Sequence, residues 1–236
     1  MAASLGYDKI PVYEKLKCKI LSTGDEIVPV NSKLMPAKSR DINSYMFYSL
    51  LQSMGIDVIR TKHLEDNKEL IKEELEEDLD LIIISGSSSK GKKDFVPSIA
   101  ENLNPGLIYH GIAIKPGKPT SLSVNNNTMI LGLAGNPISA YTVFRGVFQR
   151  AFNKYYGIGD EIKIKCKISR NIANTSAKTR ISLVDINKEE DELIATPIFG
   201  FSNNISLLKK AKGYIIIDEY SEGLRENETV WVSLIR

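Results

Sequence analysis

The sequence predicts an α/β protein: a mostly parallel sheet with helices on both faces, followed by a small, mostly antiparallel β domain. Three observations predict it. From Lys17 to Tyr156, short apolar runs that end in turn residues alternate with amphipathic, helix-sized stretches, the order of a parallel sheet with crossover helices. The run Leu81–Ser85 (LIIIS) is apolar along nearly its whole length, as a buried strand must be. After Gly157 the pattern changes to short β-prone segments separated by turns.

Taken in order, Lys17–Ser22 reads as a buried strand running into the turn Thr23-Gly24-Asp25-Glu26. A helix follows, capped by Asp41 or Asn43, with Met46, Leu50 and Met54 on one inward face and Gly55 as its stop. Asp57–Thr61 is β-like. Asp66-Asn67 opens a charged helix with Leu70, Ile71 and Leu75 inward, reaching Glu77. The strand Leu81–Ser85 ends in the loop Gly86–Lys93, and Asp94 caps a short helix around Pro97–Leu103. Leu107–Ile114 and Thr120–Val124 read as strands, the second returning through Asn125-Asn126-Asn127 as a hairpin with Thr128–Leu131. Asn136 caps and Pro137 begins a long helix with Val143, Val147 and Ala151 inward, ending near Tyr156-Gly157. Gly157-Ile158-Gly159-Asp160 reads as a linker that divides the chain at 1–157 and 158–236. Beyond it, Lys163–Ile168, Arg180–Ile186, Leu193–Pro197, Tyr214–Asp218 and Thr229–Ile235 read as strands, and Ser206–Lys212 as helical.

Composition narrows the function classes. The 31 Lys and Arg against 29 Asp and Glu give a net charge of +2, which does not suit a polybasic nucleic-acid binder or an acidic tail. Cys18 and Cys166 are far apart and make neither a disulfide framework nor a metal-ligand spacing. There is no basic segment leading into an apolar leader, and no apolar run approaches the ~20 residues of a membrane helix. The expectation is a soluble cytoplasmic protein with neither nucleic acid nor membrane as partner.

Chemistry concentrates in the turns that leave the strands toward one edge of the sheet, where ligands of such sheets bind. These are Ser22-Thr23-Gly24-Asp25-Glu26, the loop from Ser85 and Gly86 through Ser87, Ser89 and Gly91 to Asp94, the turn Lys115-Pro116-Gly117-Lys118-Pro119, and Gly135-Asn136-Pro137 with Ser139. Gly- and Ser-rich loops and a helix start present N–H groups and hydroxyls to an anion. Lys90, Lys92, Lys93, Lys115 and Lys118 supply charge, and the prolines flanking Gly117-Lys118 stiffen that turn. Asp25, Glu26 and Asp94 stand beside those cations, the donor type that holds Mg²⁺ next to phosphate. Each turn alone also has a plain reading. Gly24-Asp25 suits a tight turn, the Lys90–Lys93 run a solvated loop, Asn136-Pro137 a helix start and Asp66 an N-cap. His63 and His110 have no partner spacing and read as structural.

Together, in this order, these turns resemble the molybdenum-insertion enzymes of molybdenum cofactor biosynthesis, the MoeA and gephyrin E-domain family. Asp41 with Asn43-Ser44, Asp66, Asp94-Phe95, Ala211-Lys212-Gly213-Tyr214 and Glu222-Gly223 fit as well, so the resemblance spans nearly the whole chain. A competence-damage-type domain shares the Thr-Gly-Asp-Glu turn but is not expected to carry both later turns. The resemblance implies a three-layer α/β/α domain of the MogA and MoaB type followed by a β-barrel-like domain. It implies an adenylylated molybdopterin substrate, molybdate or tungstate, Mg²⁺ and release of AMP. Catalytic positions would be Glu26, Asp66, Asp94, Lys115 and Lys118. Substrate would be bound by Thr23, Gly24, Asp25, Ser85, Gly86, Ser87, Ser89, Gly91, Gly117, Gly135, Asn136, Pro137 and Ser139, and the metal by Asp25, Glu26 and Asp94. Ser87 stands where the family has a second glycine, Ala134 where it has proline, and the Lys90–Lys93 loop is unusually basic. The α/β part begins almost at Met1, so the resemblance leads to the expectation that the family's two N-terminal domains are absent from this chain. A homodimer, or a complex with a chain that supplies those domains, is therefore expected, and a non-catalytic molybdopterin- or nucleotide-binding module is the alternative.

Overall fold

A computed structural model describes residues 1–86, 95–159, 161–200 and 204–235. The first part is built on β1 (Lys17–Thr23), which is followed by the two-residue strands β2 (Ile27–Val28) and β3 (Ser39–Arg40), paired with each other in parallel. Then come α1 (Asn43–Ser53), β4 (Asp57–Leu64), α2 (Lys68–Leu75), β5 (Leu81–Ser85), α3 (Phe95–Ala100), β6 (Pro105–His110), β7 (Ile114–Lys115), β8 (Ser121–Asn125) and β9 (Thr128–Leu133). A continuous helical rod closes it: α4 (Pro137–Val143), a π-helical stretch (Phe144–Gln149) and α5 (Arg150–Tyr155).

The main sheet has the order β4-β1-β5-β9-β8-β6. β4, β1, β5 and β9 run parallel, while the β8–β9 hairpin and the β6 edge are antiparallel. Alternate side chains of one strand serve different cores. Ile20 of β1, Ile83 of β5 and Leu131 of β9 pack with Phe47 and Leu51 of α1 and with Val143 and Phe144 of the rod. Their neighbours Leu21, Ile82 and Ile130 face the other way, onto Ile71 and Leu75 of α2 and Val96 and Ile99 of α3. This is a three-layer α/β/α arrangement, as the alternation of strands and helices predicts.

The second part contains β10 (Lys163–Ile168), β11 (Ile172–Ala173), β12 (Thr179–Glu189), β13 (Glu192–Pro197), α6 (Ser206–Lys210), β14 (Gly213–Ile217), β15 (Gly223–Leu224) and β16 (Thr229–Leu234). Its sheet runs β13-β10-β16-β14-β12 and closes through a β12–β13 pairing, making a five-stranded barrel around Ile168, Val184, Ile215 and Val232. Outside the barrel, Ile181, Leu183 and Tyr214 pack on Ile138 and Tyr141 of α4.

Four readings of local structure need correction, the first being Ala151, expected inward but exposed. On α1 the buried apolar residues are Phe47 and Leu51, while Met46, Leu50 and Met54 flank them partly buried, and Met46 and Leu50 also reach the barrel contact. Leu70 is exposed beside buried Ile71 and Leu75. Leu107–Ile114 is not one strand. Gly111, at φ +80°, breaks it, and Ile114–Lys115 departs to pair with Thr179–Arg180 at the barrel edge. Cys18 and Cys166 are core residues. Burial pushes the Cys18 thiol up to about 12 and raises that of Cys166, the opposite of an activated nucleophile. Among the described residues no helix is long and apolar enough to cross a membrane.

Candidate functional site

The ends of β1, β5 and β9 lie level, with Ser22 opposite Ser85 and Ser85 opposite Leu133. The three turns that follow therefore start side by side. They touch through backbone. Gly86 has φ +120°, and a Cβ there would stand 2.0 Å from the Thr23 carbonyl oxygen. A Cβ on Gly135 would stand 3.2 Å from Gly86 Cα. Residues far apart in the chain thus form one floor. Above it opens a cleft of about 520 Å³ that brings together Thr23, Glu26, Ser85, Gly86, Gly135, Asn136, Pro137 and Ser139 from the sequence-derived site. Its side wall is the strap made by β2 and β3, which contributes Ser39 and Arg40 and continues into Asp41 and Asn43 at the start of α1.

Side-chain hydrogen bonds fix that wall. Asp41 Oδ2 accepts from the hydroxyls of Ser22 and Ser44, each at 2.7 Å, and Asp41 Oδ1 accepts from the Ser44 N–H at 3.1 Å. The carboxylate therefore caps α1 and ties it to β1. His63 Nδ1 lies 3.3 Å from Ser22 Oγ. Because the Ser22 proton goes to Asp41, the hydroxyl can only accept from His63, which puts a ring proton on Nδ1. Asn43 Nδ2 donates to the Gly135 carbonyl at 3.0 Å, joining α1 to the third turn. Thr23 Oγ1, Ser85 Oγ and Asn43 Oδ1 are buried without a hydrogen-bond partner, and all three belong to residues that line the cleft. Buried side-chain polar atoms without partners are uncommon in folded proteins, and these three gather at one hollow. Glu26 folds against Gly24, where a Cβ would meet its Oε2 at 2.8 Å. Ser22, Ser39, Arg40, Asn43 and His63 were not nominated as site residues. Ser22 stood in the first of the turns and Asn43 in the match around Asp41, while no sequence signal pointed to Ser39, Arg40 or His63 as site residues.

Other nominated residues lie elsewhere. Gly24 and Asp25 form the turn at the end of β1 without lining the cleft, and Asp25 Oδ1 accepts from the Asp66 N–H at 3.1 Å. Lys115 lines a second hollow, of about 180 Å³, together with Arg180, Ile138 and Thr142. Its described lining holds two cations and no carboxylate. Gly117 lets the Lys115–Pro119 turn lie on α4, since a Cβ would meet Val143 Cγ2 at 2.1 Å. The turn stands between the hollows, with Pro119 in the larger and Pro116 in the smaller, and Lys118 lines neither. Ser87, Ser89, Gly91 and Asp94, with Lys90, Lys92 and Lys93, lie outside the described residues. Among the described residues no three His, Cys, Asp or Glu side chains gather closely enough to hold a metal ion; of the expected trio Asp25, Glu26 and Asp94, the last lies outside the described residues.

Comparison with known proteins bears on this architecture. Residues 19–154 match the family described as probable molybdopterin binding domain, and residues 165–235 match the MoeA C-terminal region, domain IV. The molybdopterin molybdenumtransferase of Bacillus subtilis is 27% identical over 244 residues, which cover 100% of this chain and 56% of that protein. A putative molybdopterin biosynthesis protein of Methanocaldococcus jannaschii is 31% identical, with 100% of this chain and 59% of that protein covered. A crystal structure of the molybdopterin biosynthesis MoeA protein from Pyrococcus horikoshii superposes with a TM-score of 0.83 at 30% identity, over 99% of this chain and 57% of the other. The chain thus spans less than two thirds of the length of these relatives. With one family matched across the α/β part and the other across the barrel, the chain belongs to the molybdopterin-binding family and carries the MoeA C-terminal region behind that domain.

Proposed function

We propose that this protein acts in molybdenum cofactor biosynthesis, binding adenylylated molybdopterin in the large cleft, cleaving its adenylate with release of AMP and placing molybdenum or tungsten from its oxyanion on the dithiolene. The observation that carries the reading is the backbone floor of Thr23, Gly86 and Gly135, with three unsatisfied polar atoms beside it. A phosphate needs N–H and hydroxyl donors at close range. The smaller hollow, with Lys115 and Arg180 and no described acid, suits the metal oxyanion. The two sites flank one turn, so the oxyanion and the pyrophosphate link would be neighbours.

Within this reading the unit 1–157 binds substrate and the unit 158–236 supplies Arg180, in the cytoplasm. Attack of water on the adenylate phosphorus would break its P–O bond to the molybdopterin phosphate, giving AMP and leaving negative charge on the departing oxygen. In this reading the first N–H groups of α4 and the Thr23 and Ser85 hydroxyls would offset it. The Glu26 carboxylate has no hydrogen-bond or ion-pair partner among the described residues, and one free carboxylate beside a phosphate fits Mg²⁺ carried in with the substrate better than a resident ion in an all-protein cage. Glu26 would hold it, and the ion would supply charge neutralisation at the phosphate. The test is to mix purified protein with adenylylated molybdopterin, Mg²⁺ and molybdate and to follow AMP by chromatography. AMP release that needs molybdate is expected. A flat time course, both alone and with a full-length relative carrying a disabled cleft, rejects the activity. Because Lys118 lines neither hollow, a binding module is the second reading. It predicts heat of binding without turnover.

A further inference from the structure

The large cleft has a cation that the sequence did not nominate. Among its described lining residues Arg40 is the lone Lys or Arg, while Lys115 belongs to the other hollow and Lys118 to neither. Arg40 sits in β3, on the strap that walls the cleft, and the strap holds its guanidinium. Arg40 Nε donates to the Val30 carbonyl at 3.0 Å and Nη2 to the Ser32 carbonyl at 3.4 Å. These bonds use two of the five guanidinium N–H groups and leave three. No carboxylate pairs with Arg40 among the described residues. Asp41 next to it is already occupied by Ser22 and Ser44.

An arginine whose orientation is fixed by backbone carbonyls loses little freedom on binding, and its remaining N–H groups form a fork that matches two phosphate oxygens. The buried hydroxyls of Thr23 and Ser85, both without partners, belong to residues that line the same cleft. We propose that Arg40 is the anion-binding residue of the large cleft and recognises a phosphate group of its ligand. The assignment rests on the nucleotide-bearing substrate proposed above, and the experiment separates the two.

The full chain is titrated calorimetrically with AMP, adenosine and inorganic phosphate, as wild type and as Arg40→Gln, which keeps a donor for the Val30 carbonyl while removing the charge. The expected result is a 10- to 100-fold loss of AMP and phosphate affinity in Arg40→Gln, with adenosine binding unchanged and with an unaltered far-UV circular dichroism spectrum. Arg40→Lys recovers part of the loss, because it restores charge without the fork. Phosphate binding that depends on Arg40, with no binding of AMP, keeps the residue assignment and removes the adenylate reading. Arg40→Gln binding AMP and phosphate as the wild type does, or a wild type that binds neither, overturns the proposal.

Discussion

Gly86 shows what a single position does for the site. Its φ of +120° lies where side chains are strained, and the missing Cβ leaves room for the Thr23 carbonyl. Alanine there must displace one strand end from another, so Gly86→Ala should cost about 2–4 kcal/mol. Gly55, at the end of α1, also has a positive φ of +79°, but nothing lies within 4 Å of its missing Cβ. Gly55→Ala should cost only the left-handed backbone penalty, about 1–2 kcal/mol, and leave ligand binding intact. Urea denaturation with ligand titration on both variants checks this. Equal losses would mean that conformation alone, not contact with Thr23, fixes glycine at position 86. The sequence made Gly86 legible as a turn residue. It could not show Asn43 or Arg40 as cleft residues, because their roles depend on where the β2–β3 strap lands. Asp41 was legible as a cap, and its second duty, accepting from Ser22, needed the strand and the helix placed side by side.

At the level of elements, strand and helix order was written plainly in run lengths and turn residues. What was not legible is a charge inside a strand. Lys19 of β1 is fully buried, in a run that reads as apolar. Its Nζ donates to the Glu74 carbonyl at 2.6 Å and pairs with the carboxylates of Glu74 at 3.0 Å and Glu77 at 2.6 Å. Lys62 and Arg60 of β4 hold the outer sides of the same two acids, at 2.6 and 2.8 Å. Burial pushes the Glu74 carboxyl up, but hydrogen bonds from Lys62 and Lys19, with their charges, outweigh it, and the group ends below its ordinary value. A lowered folded-state value means that this carboxylate stabilises the fold above the unfolded value of about 4.3. That contribution is lost as the pH falls through the lowered value. Replacing both acids, Glu74→Ala with Glu77→Ala, leaves Lys19 buried without a counter-charge and should cost about 3–5 kcal/mol. Lys19→Met keeps the volume, leaves the acids with Lys62 and Arg60, and should lie within about 1 kcal/mol of wild type at neutral pH. Unfolding midpoints measured from about pH 7 down to pH 3 should fall less steeply for Lys19→Met, since part of the cause of the Glu74 shift is gone. A Lys19→Met variant as unstable as the double alanine variant would show that the lysine itself, and not the compensation of charge, holds α2 to the sheet.

Across the whole molecule, the break in pattern after Gly157 suggests two separable units, yet the contacts bind them together. β7 leaves the α/β part to pair with β12 of the barrel, and α4 lies between the main sheet and the barrel wall. Gly146, in the π-helical stretch, has no side chain to hold Ile181 off: a Cβ there would meet Ile181 Cδ1 at 2.6 Å. These contacts also build the smaller hollow, whose lining takes Lys115 and Ile138 from one part and Arg180 and Leu183 from the other. The sequence concealed this because a two-residue strand leaves no periodicity to read. One face of α4 points at the sheet and the other at the barrel, so its buried positions look like a single overlong apolar stripe. If the parts are one cooperative unit, the lone tryptophan, Trp231 on the barrel, must report the same transition as far-UV circular dichroism, to which the α/β helices contribute most. Ile181→Ala opens a gap at the junction and should cost about 2–5 kcal/mol, moving both transitions down together. Should the Trp231 signal shift alone while the helical signal stays, the barrel folds independently and the basic hollow forms only when the two parts dock. Molybdate affinity would then fall in Ile181→Ala even below its melting range.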